Sequence, residues 1–464
     1  MSFYEQTGTL AQAIFDQGHE VGAWAKRLFP AGIEIAPGVT DFDIVCAETQ
    51  RQLTLRQPLF EPAFRAAGGY ARIDILNPVD GDAWDIIEVK SSTSVKGVYL
   101  EDVAFQAHVC TAAGLNIRRC HVLHINSNYV RQGDAEPQQL FTQVDVTRQI
   151  STLSAKIEER ITEFARVIGA AAHPVVNIGP HCNSPYACPL THRCWAFLPA
   201  HNVMTLTRGT KRGFQLVAQG ITAITDIPAA TKLSKAQGIQ QRSIVANAPQ
   251  IDPAQVTAFL AQLKYPLHYL DFETMGSAVP LFDGSRPFEQ IPFQFSLHVV
   301  RQPGAEPEHH SFLAEGREDP RPGFMAALTE HIGPAGTILA YNAGFERGVL
   351  AGCAQRLPQH ADWVKSLPPR IVDLLEPFRK FHCYHPAQHG SASIKAVLPA
   401  FTGKHYSGLA IGEGGTASLE FVRVTFSEVT AEERDRVRRH LEDYCELDTL
   451  AMVWLVARLQ ELAQ

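Results

Sequence analysis

Three groups of residues in this chain have types and spacings that can do chemistry. The first is Asp271-x-Glu273, set in His268-Tyr269-Leu270-Asp271-Phe272-Glu273-Thr274-Met275. A run this apolar and aromatic reads as a buried strand, on which side chains alternate faces. Leu270 and Phe272 then point one way and the two acids the other. Carboxylates held together on a buried face repel each other and lose hydration, and a hard divalent cation such as Mg²⁺ or Mn²⁺ relieves both penalties. The bland alternative is an edge strand with a solvated acidic face. The second group is Asp74 followed by Glu88-x-Lys90. One acid from a strand, with an acid and a lysine two apart on the next, suits metal-assisted phosphodiester hydrolysis. The acids hold the ion, and the lysine polarises the attacking water or steadies developing phosphorane charge. The third is Cys182, Cys188 and Cys194, three thiols within 13 residues that also contain Pro and Asn. Buried free cysteines normally sit in apolar runs, so this stretch reads as a ligand loop.

The elements that must position these groups can be read from the pattern. Helices are expected over 10–27, 42–52, 147–170, 321–332 and 432–462, where apolar residues recur at helical spacing. Strands are expected at 68–76 and 84–92, joined by the turn formers of Asn77–Asp82 into a hairpin. Further strands are expected at 121–130, 293–300, 309–313 and 337–342. A helix starting near Ala343 puts Glu346 in its first turn. On the last helix, Tyr444 and Asp448 are four apart and share a face.

Length and composition set the frame. A chain of 464 residues exceeds one core and divides into domains. Hydrophobic content of 45% with 19% charged residues is that of a globular protein, and no apolar run is long enough to span a membrane. The opening MSFYEQTGTLAQ lacks a basic-then-apolar export pattern, and nine cysteines without one suggest reduced thiols or metal ligands. The expected compartment is the cytoplasm. A net charge of −7 gives no global basic footprint. The clearest local one is 201–250, where Arg208, Lys211, Arg212, Lys232, Lys235 and Arg242 face the single Asp226. It reads either as a phosphate-gripping helical element or as a solvated helical linker.

The N-terminal motif resembles the RecB-type branch of the PD-(D/E)XK nucleases. That branch has a glycine before the aspartate, then Glu-x-Lys, then a helix bearing a glutamine, which Gly68-Gly69, Asp74, Glu88, Lys90 and Gln106 match. The family's tyrosine four residues after the glutamine is Cys110 here. The resemblance implies that Asp74 and Glu88 hold Mg²⁺ or Mn²⁺, that Lys90 is catalytic and that Gln106 contacts substrate. It also implies an extra ligand on an early element, for which His19 and Glu61 are the candidates. Some members carry a 4Fe–4S cluster on three late cysteines and one early one. By that resemblance Cys182, Cys188 and Cys194 would pair with Cys46. Zinc, with His181 or His192, is the alternative, and Cys110 and Cys120 are other possible partners.

The C-terminal motifs resemble the DEDD exonucleases of the ribonuclease H-like fold. Asp271 and Glu273 match the first motif. Asn342-Ala343-Gly344-Phe345-Glu346 matches the second, with Glu for the usual Asp, and Tyr444-x-x-x-Asp448 matches the third in its tyrosine form. The resemblance implies that Asp271, Glu273, Glu346 and Asp448 hold two metals, that Tyr444 orients water, and that Asn342 contacts substrate. Asp373 and Ser391–Lys395 are expected either to line the groove or to cap structure.

The resulting expectation is a mixed α/β protein with two mixed-sheet nuclease domains. A restriction-endonuclease-like domain at 1–200 and a ribonuclease H-like domain at 256–464 are joined by a basic helical connector at 201–255. It would be a hydrolase acting on phosphodiester bonds of DNA or RNA, with 3′→5′ exonuclease activity in the second domain. The rivals are one degenerate domain, or a scaffold that binds nucleic acid without catalysis.

Overall fold

The computed structural model describes residues 9–464, and the fold is mixed α/β. The chain forms two compact units. One comprises the residues up to Val176 together with Gly276–Glu289; the other comprises Asn177–Met275 and Gln290–Gln464.

The first unit contains strands β1 (Ile33–Glu34), β2 (Leu59–Phe60), β3 (Ala63–Ala66), β4 (Gly69–Arg72), β5 (Ile75–Pro78), β6 (Ala83–Lys90), β7 (Asn116–Ile125) and β8 (Phe141–Asp145). Six of them make a sheet in the order β1–β2–β5–β6–β7–β8, while β3 and β4 pair separately. The β5–β6 pair is antiparallel, with Ile75 opposite Ile87. The β6–β7 pair is parallel and so needs a crossover. Helix α3 (Gly97–Ala112) supplies it, after α1 (Thr9–Lys26) and α2 (Phe42–Leu53). Asp41 starts α2 by accepting from the amides of Asp43 and Ile44. Strand alternation sorts the core. Leu76, Ile86 and Val122 pack against Val103, Ala104 and Val109 of α3. Ile75, Ile87 and Leu123 pack in a second cluster with Val21 and Ala25 of α1. Glu88 and Lys90 share the parity of Ile86 and therefore face α3.

Three sequence expectations for this unit are corrected. The strand expected at 68–76 is broken at Ile73–Asp74. There the Ile73 amide bonds Pro62 and the Asp74 carbonyl accepts from Glu61, so the chain leaves the β3–β4 hairpin for the sheet at Asp74. The helix expected over 147–170 divides into Thr147–Ser151 and Ser154–Ile168. The hydroxyls of Ser151 and Thr152 bond back to the carbonyls of Arg148 and Gln149, competing with the helix at the break. The strand expected at 121–130 lies at Asn116–Ile125, because Asn126 accepts from the Asn128 amide and turns the chain.

The second unit contains β9 (Gln250–Ile251), β10 (Leu267–Met275), β11 (Ile291–Val300), β12 (Glu308–Leu313), β13 (Thr337–Ala340), β14 (Ile371–Asp373) and β15 (Cys383–Tyr384). Five of them form a sheet in the order β12–β11–β10–β13–β14. β10 pairs antiparallel with β11 and parallel with β13. Its central position removes the edge-strand alternative for Asp271 and Glu273. The helices needed below are α4 (Thr210–Ala218), α5 (Lys235–Ala246), α6 (Arg321–His331), α7 (Gly344–Arg356), α8 (Ile394–Thr402), α9 (Gly414–Phe426) and α10 (Ala431–Leu462). Leu270, Phe272, Phe295 and Leu297 pack on α6 and α7. Phe324 meets Phe272 and Phe295 edge-on at 5.0 and 5.5 Å, contacts worth about 0.5–1.5 kcal/mol each beyond their buried area. The opposite face lies under α8 and α10, where Tyr269, Val397, Leu398 and Met452 share a cluster. The buried positions of α10 run Leu441, Tyr444, Cys445, Asp448, Thr449 and Met452, a helical stripe that carries two site candidates inward.

Residues 201–255 are neither a separate connector nor a solvated linker. Val203, Leu206, Leu216, Ile224, Ile227 and Ile244 form a small core around α4 and α5. β9 pairs with β15, which ties the segment into the second unit. The division accordingly falls at 176/177 rather than at 200. Arg208, Lys211, Lys232, Lys235 and Arg242 are exposed on it. Among the described residues, no helix is long and apolar enough to cross a membrane.

Candidate functional site

Alternation on β10 delivers Asp271 and Glu273 to the α10 side of the second sheet, and Asp448 meets them from α10. One carboxylate oxygen from each lies within 4.8 Å of the others. Glu273 and Asp448 are buried and Asp271 is half-buried, and the proton affinities of all three rise. Burial, then the charges of Asp448, Glu273 and Glu346, push Asp271 well above the ordinary carboxylate range. Burial, with Asp448 adding and Lys395 opposing, raises Glu273 to about 8. Asp448 is raised by burial and held back chiefly by its hydrogen bond from Tyr406, at 2.6 Å. Three acids with raised proton affinity in one place need protons or a cation.

The surrounding groups trim this excess negative charge. Lys395 Nζ lies 3.3 Å from the Tyr444 hydroxyl and donates to the Gly412 carbonyl. Burial raises the Tyr444 phenol, and the Asp448 charge adds to it, so it stays protonated. Cys445 points its thiol at Asp271 Oδ2 from 3.9 Å. Helix α9 begins against Glu273: a Cβ on Gly414 would sit 3.3 Å from Glu273 Oε2. The positive end of the helix dipole favours charge there.

Glu346 sits in the first turn of α7, as expected, and is buried. It stands outside the 4.8 Å set, although its charge reaches Asp271. Burial raises it to about 8, and its Oε2 is buried without a hydrogen-bond partner. Such an orphaned acceptor fits an ion. Asn342 precedes α7 with φ of +81°, a left-handed conformation that Asn tolerates better than most residues, and is exposed. Asp373 is a cap: its Oδ1 accepts from the Asn342 and Leu375 amides and its Oδ2 pairs with Arg379. Lys395 belongs to the site, whereas Ser393 precedes α8 as its cap residue.

The first unit gathers its own candidates at the ends of β5 and β6. Asp74 Oδ2 accepts from the Val89 amide at 2.7 Å. Glu88 Oε1 receives Lys90 Nζ at 2.6 Å and Oε2 receives Gln106 Nε2 at 2.8 Å. Burial, then Asp74, push Glu88 well above its usual range, and burial likewise raises Asp74. Lys90 is held protonated by Glu88 and Asp102 against the cost of burial. The Gln106 carbonyl oxygen is buried and unpartnered. Asp74, Glu88 and Lys90 line a cleft of about 570 Å³ that His19 and Glu61 also line. Glu61 is ion-paired with Arg72 at 3.1 Å, while His19 is exposed on α1.

Two residues were missed by sequence reasoning. Asp102 bonds Lys90 at 2.8 Å, and its only signal is its place one turn before Gln106 on the same helix face. Tyr406 lies between Gly403 and Gly408 with no periodic cue.

The cysteines are not preassembled. Among the described residues, only two sets of three or more His, Cys, Asp and Glu ligand atoms converge within 4.8 Å, and neither contains a cysteine. The loop therefore holds no ready tetrahedral zinc site. Cys182 is buried, Cys188 half-buried and Cys194 exposed. Cys46 lies on α2 in the first unit, against the core that includes Val45.

The profile of a family described as Domain of unknown function (DUF2779) matches residues 268–393, a stretch that contains Asp271, Glu273, Asn342, Glu346 and Asp373. An uncharacterized protein of Ureaplasma parvum is 26% identical over 228 residues, 45% of this chain and 33% of that protein. An uncharacterized protein of Mycoplasma genitalium is 26% identical over 220 residues, 43% of this chain and 33% of that protein. The chain thus aligns with about a third of the length of each of these relatives. No solved structure matches it.

Proposed function

We propose that this chain is a metal-dependent nuclease that hydrolyses phosphodiester bonds of DNA or RNA, with its main centre at Asp271, Glu273 and Asp448. The observation that carries the reading is the convergence of those three carboxylates, two of them buried, within 4.8 Å beside a protonated tyrosine. The sheet supports it: three antiparallel strands followed by two parallel ones, with acids on the central strand, is the arrangement expected of a ribonuclease H-like domain. Asp271, Glu273 and Asp448 would hold Mg²⁺ or Mn²⁺, with Glu346 completing the acid set. A pair of such ions stabilises both the entering and the leaving oxygen of an in-line displacement. Tyr444, kept protonated, orients the attacking water through its hydroxyl. Lys395, beside that hydroxyl, stabilises charge growing on the phosphoryl oxygens. Tyr406 anchors Asp448 so that it cannot swing away. Phe345, exposed beside Glu346, offers a face on which a base can stack. The exposed lysines and arginines of 201–250 supply phosphate contacts.

The first unit is proposed as a second hydrolytic centre of the PD-(D/E)XK type, with Asp74 and Glu88 holding the ion and Lys90 acting on the water or phosphate. Cys182, Cys188 and Cys194 are retained as proposed ligands of a 4Fe–4S cluster, and the cytoplasm as the compartment. The deciding test is hydrolysis of end-labelled single- and double-stranded DNA and RNA, with Mg²⁺, Mn²⁺ or chelator. Metal-dependent shortening from the 3′ end that Asp271→Ala abolishes is expected. An unchanged product ladder from that variant would refute the centre.

A further inference from the structure

We propose that His298, His309 and Glu446 form a second cation site in the second unit, one that takes a borderline transition ion of the zinc class. It is separate from the carboxylate centre and does not depend on the nuclease reading. One ligand atom from each of the three lies within 4.8 Å of the others. His298 and His309 are cross-strand partners on β11 and β12, and Glu446 faces them from α10. Two imidazoles and one carboxylate favour zinc, copper or nickel, whereas an all-carboxylate set favours magnesium or manganese.

The rings are already oriented. His298 Nδ1 lies 2.8 Å from the Thr449 hydroxyl and His309 Nε2 lies 2.9 Å from the Ser296 hydroxyl. Those hydroxyls are 2.6 Å apart, so one short chain of bonds links the two rings. That chain of bonds leaves out His298 Nε2 and His309 Nδ1. Outer partners of this kind set the tautomer and direction of metal-binding imidazoles. His309 Nδ1 and Glu446 Oε1 are 3.9 Å apart. That gap is too long for a hydrogen bond. It is short enough for one ion to span, with zinc–nitrogen and zinc–oxygen bonds of about 2.0–2.2 Å. The two rings stack with centroids 4.5 Å apart and planes 25° from parallel, so closing on one ion requires His309 to turn. It can do so, because it lies on the edge strand with its side chain 29% exposed; Glu446 is 47% exposed. His298 is buried and supplies the fixed ligand.

The test is calorimetric titration of the full chain with Zn²⁺ in excess Mg²⁺, the hard cation that an all-carboxylate set favours. A zinc equivalent is expected that persists in Asp271→Asn. It should weaken at least about tenfold in both His309→Ala and Glu446→Gln, two substitutions at exposed side chains. Co²⁺ in its place should give visible d–d absorption in wild type, lost in His309→Ala, without the near-ultraviolet band of thiolate ligation. Equal zinc affinity in wild type and both variants would overturn the site. So would loss of the zinc equivalent in Asp271→Asn, or cobalt spectra showing only thiolate ligation.

Discussion

Replacing Glu273 with glutamine should stabilise the metal-free protein at alkaline pH while weakening its stabilisation by Mn²⁺. The Glu273 carboxyl is raised from 4.5 to about 8, chiefly by burial. A group raised in the fold contributes full stability below its unfolded value, near 4.5, and loses it as pH rises through 8. At about 1.4 kcal/mol per pH unit, the metal-free protein should lose about 4 kcal/mol between pH 4.5 and 8 from this side chain alone. For a unit of this size that corresponds to a fall of roughly 8–15 °C in the melting temperature. Glutamine keeps the shape and carries no charge, so Glu273→Gln should escape this loss. The assay is thermal unfolding from pH 5 to 8 in chelator, then in millimolar Mn²⁺. Wild type should melt below the variant at pH 8 in chelator, match it near pH 5, and recover with Mn²⁺, whereas the variant should respond less. A wild-type melting temperature that stays level from pH 5 to 8, or equal Mn²⁺ responses, would refute the reasoning.

Tyr444→Phe should slow strand shortening by about 10²-fold, as loss of a positioned hydroxyl does, and keep its Mn²⁺ affinity in calorimetry; loss of metal would contradict the role. Lys90→Ala leaves Glu88 and Asp102 unneutralised, and should remove one cleavage activity that Asp271→Ala retains. If Asp271→Ala alone removes every activity, the first unit only binds. Anaerobically purified protein should be brown, with iron and acid-labile sulfide in comparable amounts. Colourless protein holding stoichiometric zinc would reject the cluster, and metal-free thiols would reject any metal at the loop.

Much of the second site was legible because its geometry is periodic. Period two on β10 separates Leu270 and Phe272 from Asp271 and Glu273, and spacing of four on α10 puts Tyr444 and Asp448 inward. Glu346 was legible as a first-turn residue. Tyr406 and Lys395 were harder, because their places are set by tertiary packing of a loop and a helix start against α10 rather than by local pattern. In the first unit, Glu88 and Lys90 share one face of the sheet through alternation, and Gln106 meets Glu88 from α3. The break at Ile73–Asp74 was hidden because it depends on pairing with Glu61–Pro62, which no local window contains. The boundary at 200 failed for a related reason. The apolar residues of 201–255 pack among themselves and with the later chain, which a charge count does not reveal.

The loop between β10 and β11 has a consequence for biosynthesis. Ala278 and Val279 are buried in the core that holds Val21, Phe60, Ile87 and Leu123. Arg131 donates to the carbonyls of Pro280 and Leu281, and the Gly133 amide bonds Asp283. A ribosome that has released residue 176 must still add the chain up to Glu289 before this core can close, roughly 6–23 s at about 5–20 residues per second. Until then a nascent first unit exposes part of its apolar interior, a surface for chaperones to bind. A fragment ending at residue 176 would carry the same vacancy permanently, so it should be recovered insoluble unless residues 276–289 are supplied with it.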